Sequence, residues 1–457
     1  MEPPETYARK TLVERLAATG KPDDFSAAQD VAGKMADEEL KKGVLADPDV
    51  LLLKAGLDVQ QPETIARAKD NCKRATQLAP NSAAPCIMLS MIAQAEGDSR
   101  TASEESSKAL GIEPTSSRAL TLRIETLRRE GRFAEARVLL DRLPGDPLSL
   151  ALTRADLLAG ESGGTAALDY LKKQLTALKP DTPAGLKVAF LLRIARHLED
   201  AGNTTEAEAQ LREAHKLSPD AADVVATLCR LLDGQKRFTE SDQLFDEIMK
   251  GKTGQTLASL QMMRADFLLA RRDPKSIAEA ERLAKAALEI NPNSSLAYRI
   301  LGDAAYAAKQ PKAAINHYRK ALDLDFRNSF ASNNLAWVLC ETGDPKSALP
   351  HAQNAVFLSP TNASFLDTLG EVSYKLGDYR KSEDALARAV EIAPDAAGSW
   401  VRLARAYLKL ARLDDAERAL GKAEEIGQGD RKLSQEQKNE MTSLLERINK
   451  ARKKSTR

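Results

Sequence analysis

The 457-residue chain is poor in the residue types on which many β-proteins and metal or disulfide sites depend. Aromatic residues make up only 4% of it, and it contains four cysteines and four histidines. Few aromatics argue against a β-sandwich or a β-barrel, because their strands favour such side chains. The cysteines show no Cys-x-x-Cys spacing, which argues against the common zinc and redox motifs.

The chain also lacks an excess of charge of one sign and a long apolar run. It has 67 basic and 66 acidic residues, so no net field attracts a polyanion. The basic tail 449–457 is expected to be a solvated terminus. No apolar run reaches the roughly 20 residues that span a bilayer. We therefore predict no nucleic-acid partner and no membrane insertion. The protein would be cytoplasmic if Met1 is the native start, or periplasmic if a leader was removed.

The residues that are abundant favour helices. Ala, Leu, Lys, Arg and Glu dominate, and these side chains lose little rotamer freedom in a helix. The chain is longer than the roughly 250–300 residues at which a single hydrophobic core stops growing. Either several domains or a repeat array is therefore expected.

A step of 34 residues recurs along the chain. It separates Pro80 from Pro114 and Pro360 from Pro394. Small residues follow the same register at Ala68, Ala102, Ala136, Ala280, Ala314, Ala348, Ser382 and Ala416. A second series lies seven residues later, at Ala75, Ala109, Ala287, Ala321, Ala355, Ala389 and Ala423. Such a register indicates tandem copies of one structural unit.

Each unit is predicted to be a pair of amphipathic helices joined by a turn. In residues 295–328, apolar and small residues recur at helical spacing on both sides of a turn at 309–311. The inward-facing positions are Tyr298, Leu301, Gly302 and Ala305 on the first helix, and Ala314, Tyr318 and Ala321 on the second.

This pattern resembles the tetratricopeptide repeat family. Its signature of an aromatic, a Leu-Gly pair, a Tyr, small residues and a Pro is matched best by Phe365, Leu369, Gly370, Ala389 and Pro394. The resemblance covers about nine-tenths of the chain. It implies an all-α, right-handed superhelical solenoid of about twelve helix-turn-helix repeats. The units are predicted to start near residues 9, 49, 83, 117, 148, 188, 222, 258, 295, 329, 363 and 397.

The regularity of the register divides the chain into five predicted regions. Connectors at 144–147, 179–185 and 250–254 disturb the spacing, and Leu143 and Gln174 stand where Ala is expected. We predict an irregular N-terminal repeat (1–48), regular repeats (49–147), irregular middle repeats (148–294), regular C-terminal repeats (295–430), and a capping helix with a basic tail (431–457).

No motif for catalysis or for a cofactor is recognisable. Gly-rich phosphate loops, His-Glu-x-x-His and Gly-x-Ser-x-Gly are all missing from the sequence. His317 and His351 are 34 residues apart and so occupy one register position, but a metal site needs three or four ligands. The cysteines are expected to be buried small hydrophobes. We predict a non-enzymatic protein without cofactor or metal.

The resemblance also implies where a partner binds. In this family the first helix of each unit lines a concave groove, through about its second, fifth, ninth and twelfth residues. These places predict a partner-binding set of Arg299, Asp303, Tyr306, Phe330, Asn333, Trp337, Glu371, Tyr374 and Arg405, with Asp367 beside them. Aromatics flanked by Arg and Asn are typical of protein-binding hot spots. Trp337 is the central residue, and the alternative is that it packs between neighbouring units.

Two further features of the predicted groove stay open. An N-terminal apolar strip of Leu53, Leu57, Ile87 and Met91 is either a second site or a seam that the first repeat buries. Some relatives clamp a C-terminal carboxylate. Arg299 and Asn334 could form part of such a clamp, but Ser364 and Thr368 occupy its basic places.

We predict that the chain is a protein-interaction scaffold for an unidentified protein or peptide. One alternative is an accessory scaffold of a bacterial envelope or exopolysaccharide export assembly, because the segments 333–337 and 366–370 look like the closing units of long bacterial repeat proteins. Another is an array cut from a larger enzyme. The oligomeric state is left open.

Overall fold

The computed structural model describes residues 4–18, 22–41, 47–59, 64–145, 147–427 and 433–455. These parts of the chain contain α-helices and no strand. The helices are α1 (Pro4–Ala18), α2 (Pro22–Lys41), α3 (Pro48–Asp58), α4 (Ile65–Leu78), α5 (Ala84–Glu96), α6 (Ser99–Ile112), α7 (Ser117–Arg129), α8 (Phe133–Leu140), α9 (Pro147–Ser162), α10 (Gly164–Thr176), α11 (Ala184–Asp200), α12 (Thr204–Leu217), α13 (Ala222–Gly234), α14 (Phe238–Met249), α15 (Gly254–Arg271), α16 (Pro274–Ile290), α17 (Ser295–Ala307), α18 (Pro311–Leu324), α19 (Ser329–Glu341), α20 (Pro345–Leu358), α21 (Ala363–Lys375), α22 (Tyr379–Ile392), α23 (Ala397–Lys409), α24 (Leu413–Gly427) and α25 (Gln435–Ser455).

The predicted architecture of consecutive helix pairs is confirmed. The first helices α7, α13, α17, α19, α21 and α23 begin at the predicted unit starts 117, 222, 295, 329, 363 and 397. In the middle of the chain α11 and α15 begin four residues earlier than predicted, at Ala184 and Gly254. Part of the extra length there extends the first helices, which have 17 and 18 residues against 13 in α17.

The small residues of the register are buried between the helices of the repeats. All of the two predicted series are buried, from Ala68 and Ala75 to Ala416 and Ala423. With a methyl group or a hydroxymethyl group at these places, helix backbones approach more closely than larger side chains would allow. The 34-residue register therefore marks packing positions.

The turn between the two helices of a pair requires one residue in the left-handed region of the backbone. Gly343 and Gly377 adopt φ of 91° and 84° there, where a Cβ would be unfavourable. Lys236 and Lys309 occupy the same place in other pairs, with φ of 61° and 60°. A side chain is tolerated at these two turns at some cost in backbone strain.

The chain forms two compact units, an N-terminal unit that is mainly Thr64–Ile300 and a C-terminal unit that is mainly Leu301–Arg457. Within the C-terminal unit each helix packs on the next one along the chain. In addition, α19 packs on α21, α21 on α23 and α23 on α25. The first helices of this unit thus form a continuous row, whose exposed side we call the first-helix face.

The last helix pair of the C-terminal unit is covered by α25. Leu433 and the α25 residues Met441, Leu444 and Ile448 are buried against α23 and α24. Without this cover the apolar face of the last pair would be open to water, which solenoids avoid at their ends.

Candidate functional site

The predicted partner-binding residues lie on successive first helices. Their positions are Asp303 and Tyr306 on α17, Phe330, Asn333 and Trp337 on α19, Glu371 and Tyr374 on α21, and Arg405 on α23. All eight belong to the C-terminal unit, whereas Arg299 belongs to the N-terminal unit. The helical register therefore brings the eight to one row.

Trp337 and Tyr306 hold each other in fixed positions. The indole Nε1–H of Trp337 donates to the Tyr306 hydroxyl oxygen at 2.9 Å, and the Tyr306 hydroxyl donates to Glu341 Oε2 at 2.6 Å. Burial, and then the bond to Glu341, raise the pKa of Tyr306, so the hydroxyl keeps its proton at neutral pH. Trp337 is half-buried. Part of its side chain therefore packs against the protein, and part is exposed to solvent.

A second hydrogen-bonded group joins Asp303 of α17 to two amide side chains of α19. Asp303 Oδ1 accepts hydrogen bonds from the Tyr318 hydroxyl and from Asn334 Nδ2, both at 2.7 Å. Asn333 is buried and donates from Nδ2 to Asn334 Oδ1 at 3.1 Å. Its Oδ1 is buried without a hydrogen-bond partner among the described residues. Asn334 is thus hydrogen-bonded to both Asp303 and Asn333.

A ladder of alternating charges continues along the row. Arg402 pairs with Asp367 at 3.0 Å, and Arg405 pairs with Glu371 and, at 3.2 Å, with Glu440 of α25. Burial raises the pKa of Asp367, and the Arg402 guanidinium opposes that rise. The ladder contains three carboxylates and two guanidinium groups, and each guanidinium is paired with at least one carboxylate.

Both arginines of the ladder also lie over aromatic rings. The Arg405 guanidinium is 4.1 Å from the centroid of Tyr374, and that of Arg402 is 5.4 Å from the centroid of Trp337. Such cation–π contacts fix the rings and the guanidinium groups together. Trp337, Tyr374 and the charged residues of the ladder therefore form one network.

Phe330 differs from the other predicted residues. Its side chain is 55% exposed, and its ring touches that of Phe365 edge-on, with centroids 5.2 Å apart. A ring of this size usually loses most of its surface to the core. Phe330 is therefore the most exposed large apolar residue of the row, ahead of Tyr306 at 36%.

Sequence reasoning identified the row but missed several of its members. Arg402, Glu341 and Glu440 complete the network, although they fall outside the second, fifth, ninth and twelfth places of a unit. Asn334 and Arg402 both occupy the sixth place of a unit, so adding that place to the predicted groove positions would have included them. Arg299 is buried and pairs with Asp266 at 2.6 Å.

The N-terminal apolar strip is only partly open. Leu57 and Ile87 are buried and Leu53 is half-buried, while Met91 is exposed. Burial of two of its four members leaves Met91 as an isolated apolar side chain, and single exposed apolar residues are normal on protein surfaces.

The cysteines are buried free thiols. Burial raises the pKa of Cys72 to about 12, and those of Cys86, Cys229 and Cys340 to about 11. Since the thiolate is the nucleophile, such groups are poorly reactive at neutral pH.

Among the described residues, no three His, Cys, Asp or Glu side chains cluster as metal ligands. No helix in the same residues is long and apolar enough to cross a bilayer.

Two family models described as tetratricopeptide repeat match the chain. One matches residues 198–265 and 373–435, and the other matches residues 262–328. The chain therefore contains tetratricopeptide repeats in these residues. These repeats indicate a protein-interaction scaffold in general, and proteins built from them are typically non-enzymatic.

Similar solved structures include crystal structures of the MamA protein. Two are 23% identical to this chain, each with a TM-score of 0.32; they cover 37% and 35% of it, and 92% and 93% of the MamA chain. A MamA RS-1 double mutant is 22% identical, covers 37% of this chain and 94% of its own, and has a TM-score of 0.33. No curated protein matches the chain.

Proposed function

We propose that the chain is a non-enzymatic scaffold that binds a peptide or protein partner on the first-helix face of its C-terminal unit, centred on Phe330. The observation that carries this proposal is the 55% exposure of the Phe330 ring beside a row of ordered aromatic and charged side chains. Fully burying a Phe side chain is worth roughly 1.5–3 kcal/mol, so a partner that covers Phe330 would gain a sizeable part of that.

The rest of the row suits a binding surface because its side chains are already ordered. Trp337 and Tyr306 are fixed by hydrogen bonds, and Arg402 and Arg405 by ion pairs. A partner would therefore not have to immobilise these long side chains, which otherwise costs about 0.5–1.5 kcal/mol each. Apolar contact at a central aromatic surrounded by a polar rim is the usual arrangement of a hot spot.

The partner is proposed to be an extended or helical segment with an apolar side chain against Phe330. The alternating charges of Asp367, Glu371, Arg402, Arg405 and Glu440 give the surface polar contacts of both signs. Such a pattern contributes specificity through matched pairs more than through net attraction.

Phe330→Ala is expected to abolish partner capture and to leave the melting temperature nearly unchanged. The ring is more than half exposed and has an edge contact with Phe365, so its loss opens little of the core. Captured proteins would be quantified by mass spectrometry after pull-down with the immobilised wild-type and variant chains, and melting would be followed by circular dichroism.

Ile392→Ala is the matched control for this substitution. Ile392 is 44% exposed and lies at the end of the second helix α22, away from the first-helix row. It should leave capture intact. Equal loss with both variants, or full capture by Phe330→Ala, would refute a partner at Phe330.

Trp337→Ala is a less clean probe, because the half-buried indole is hydrogen-bonded and its removal should also lower stability.

A further inference from the structure

A separate cleft lies within the N-terminal unit. The turn between α13 and α14 and the last turns of α15 enclose a volume of about 540 Å³. Clefts that bind ligands commonly have roughly 300–1,000 Å³. The proposed surface around Phe330 has no residue in common with this cleft, so the two can be tested independently.

Two aromatic rings form the apolar wall of the cleft. Phe238 opens α14 and is 37% exposed, and Phe267 on α15 is half-buried. The Phe267 ring is held by an edge contact with Phe245, with centroids 5.3 Å apart. An apolar side chain that enters between these rings would leave water and cover Phe238 as well.

The acidic groups at the edge of the cleft are already compensated. Asp233 pairs at 3.0 Å with Arg271, whose side chain is almost completely buried. The Arg271 guanidinium also lies 4.7 Å from the centroid of the Phe238 ring, which it holds in place. Asp266 pairs with Arg299 at 2.6 Å. Neither carboxylate is therefore left to attract a cation.

Two basic groups at the same edge are not compensated in this way. The Arg230 side chain is 63% exposed, and its ion-pair contact with Glu199 is long, at 3.9 Å. Lys236 is exposed and has no ion-pair partner within the described part of the chain. Together they give the edge of an apolar cleft a positive potential, which favours an occupant with negative charge beside its apolar group.

We propose that this cleft binds a segment of a partner protein in which a large apolar side chain is followed by acidic residues. The apolar side chain enters between Phe238 and Phe267, and the carboxylates that follow it pair with Arg230 and Lys236. The occupant therefore needs both the large apolar side chain and the acidic residues, and a test peptide can lack either one.

The test uses fluorescein-labelled Ser/Gly peptides and the full chain, with binding measured by fluorescence anisotropy. One peptide carries Phe-Glu-Glu at its centre, a second carries Phe-Lys-Lys and a third carries Ala-Glu-Glu. The Phe-Glu-Glu peptide is expected to bind with a Kd below about 1 mM, and the other two about tenfold more weakly or not at all.

Lys236→Gly locates the binding with little risk to the fold. Lys236 adopts φ of 61°, which glycine adopts freely, so the melting temperature should stay the same or rise. The Kd of the Phe-Glu-Glu peptide should rise about threefold, as expected for one exposed ion pair. Lys309→Gly is the matched control, since Lys309 has φ of 60° at the same kind of turn outside the cleft. It should leave the Kd unchanged.

Phe238→Ala should raise the Kd of the same peptide about tenfold, because one of the two apolar walls is removed. The proposal is overturned if the Phe-Glu-Glu peptide does not bind below about 1 mM. It is also overturned if the Phe-Lys-Lys peptide binds equally well, or if Lys236→Gly and Lys309→Gly have the same effect.

Discussion

Gly302→Ala is expected to destabilise the protein by about 2 kcal/mol, although alanine is the better helix former. A Cβ at Gly302 would lie 2.4 Å from Cε1 and 2.6 Å from Cδ1 of Tyr318. The Tyr318 side chain is 1% exposed, and its hydroxyl donates to Asp303 at 2.7 Å, so the ring has no space to move aside. The measurement is the free energy of unfolding in urea.

Gly421→Ala is the control for this prediction. Gly421 lies in α24, and a Cβ there would meet nothing within 4 Å. The substitution should therefore stabilise the protein by about 0.5–1 kcal/mol, because only the backbone preference of glycine changes. If both variants shift the free energy of unfolding in the same direction, a clash of the new methyl group with Tyr318 does not determine the effect at Gly302.

Arg405→Met should lower the free energy of unfolding by about 3 kcal/mol. Glu371 is only 8% exposed, and without Arg405 its nearest cation is Arg402 Nε at 3.7 Å. A buried carboxylate that loses its main partner keeps the cost of its desolvation without the attraction that offset it. The variant also loses the contacts of Arg405 with Tyr374 and Glu440.

The double variant Arg405→Met with Glu371→Met should recover much of that loss. Two apolar side chains of similar volume remove the unpaired charge, and the coupling energy from the double-mutant cycle should be large. Additive effects of the two substitutions would contradict the pairing of Glu371 with Arg405.

Much of the fold could be predicted from the 34-residue register. The register repeats a small, buried residue in each second helix, and so it locates the pairs that begin at Ser295, Ser329, Ala363 and Ala397. It could not predict the lengths of α11 and α15. Extra residues between two register positions can extend a helix or lengthen a loop, and the spacing is the same in both cases.

The candidate site could be predicted only in part, for a related reason. Helical periodicity indicates which side chains point to a shared face, and Tyr306, Trp337 and Glu371 lie on the first helices α17, α19 and α21. It does not indicate which of them bond to one another. Arg402 reaches Trp337 from two first helices away, a contact that depends on how successive repeats are oriented and not on the spacing inside one repeat.

The most direct test of a partner on the first-helix face is a site-specific photocrosslink in cells. A benzophenone amino acid would replace Phe330 in one variant and Ile392 in another, and adducts would be identified by mass spectrometry. A partner bound at Phe330 should be crosslinked from position 330 and not from position 392. The same adducts from both positions, or none from position 330, would contradict a binding surface centred on Phe330.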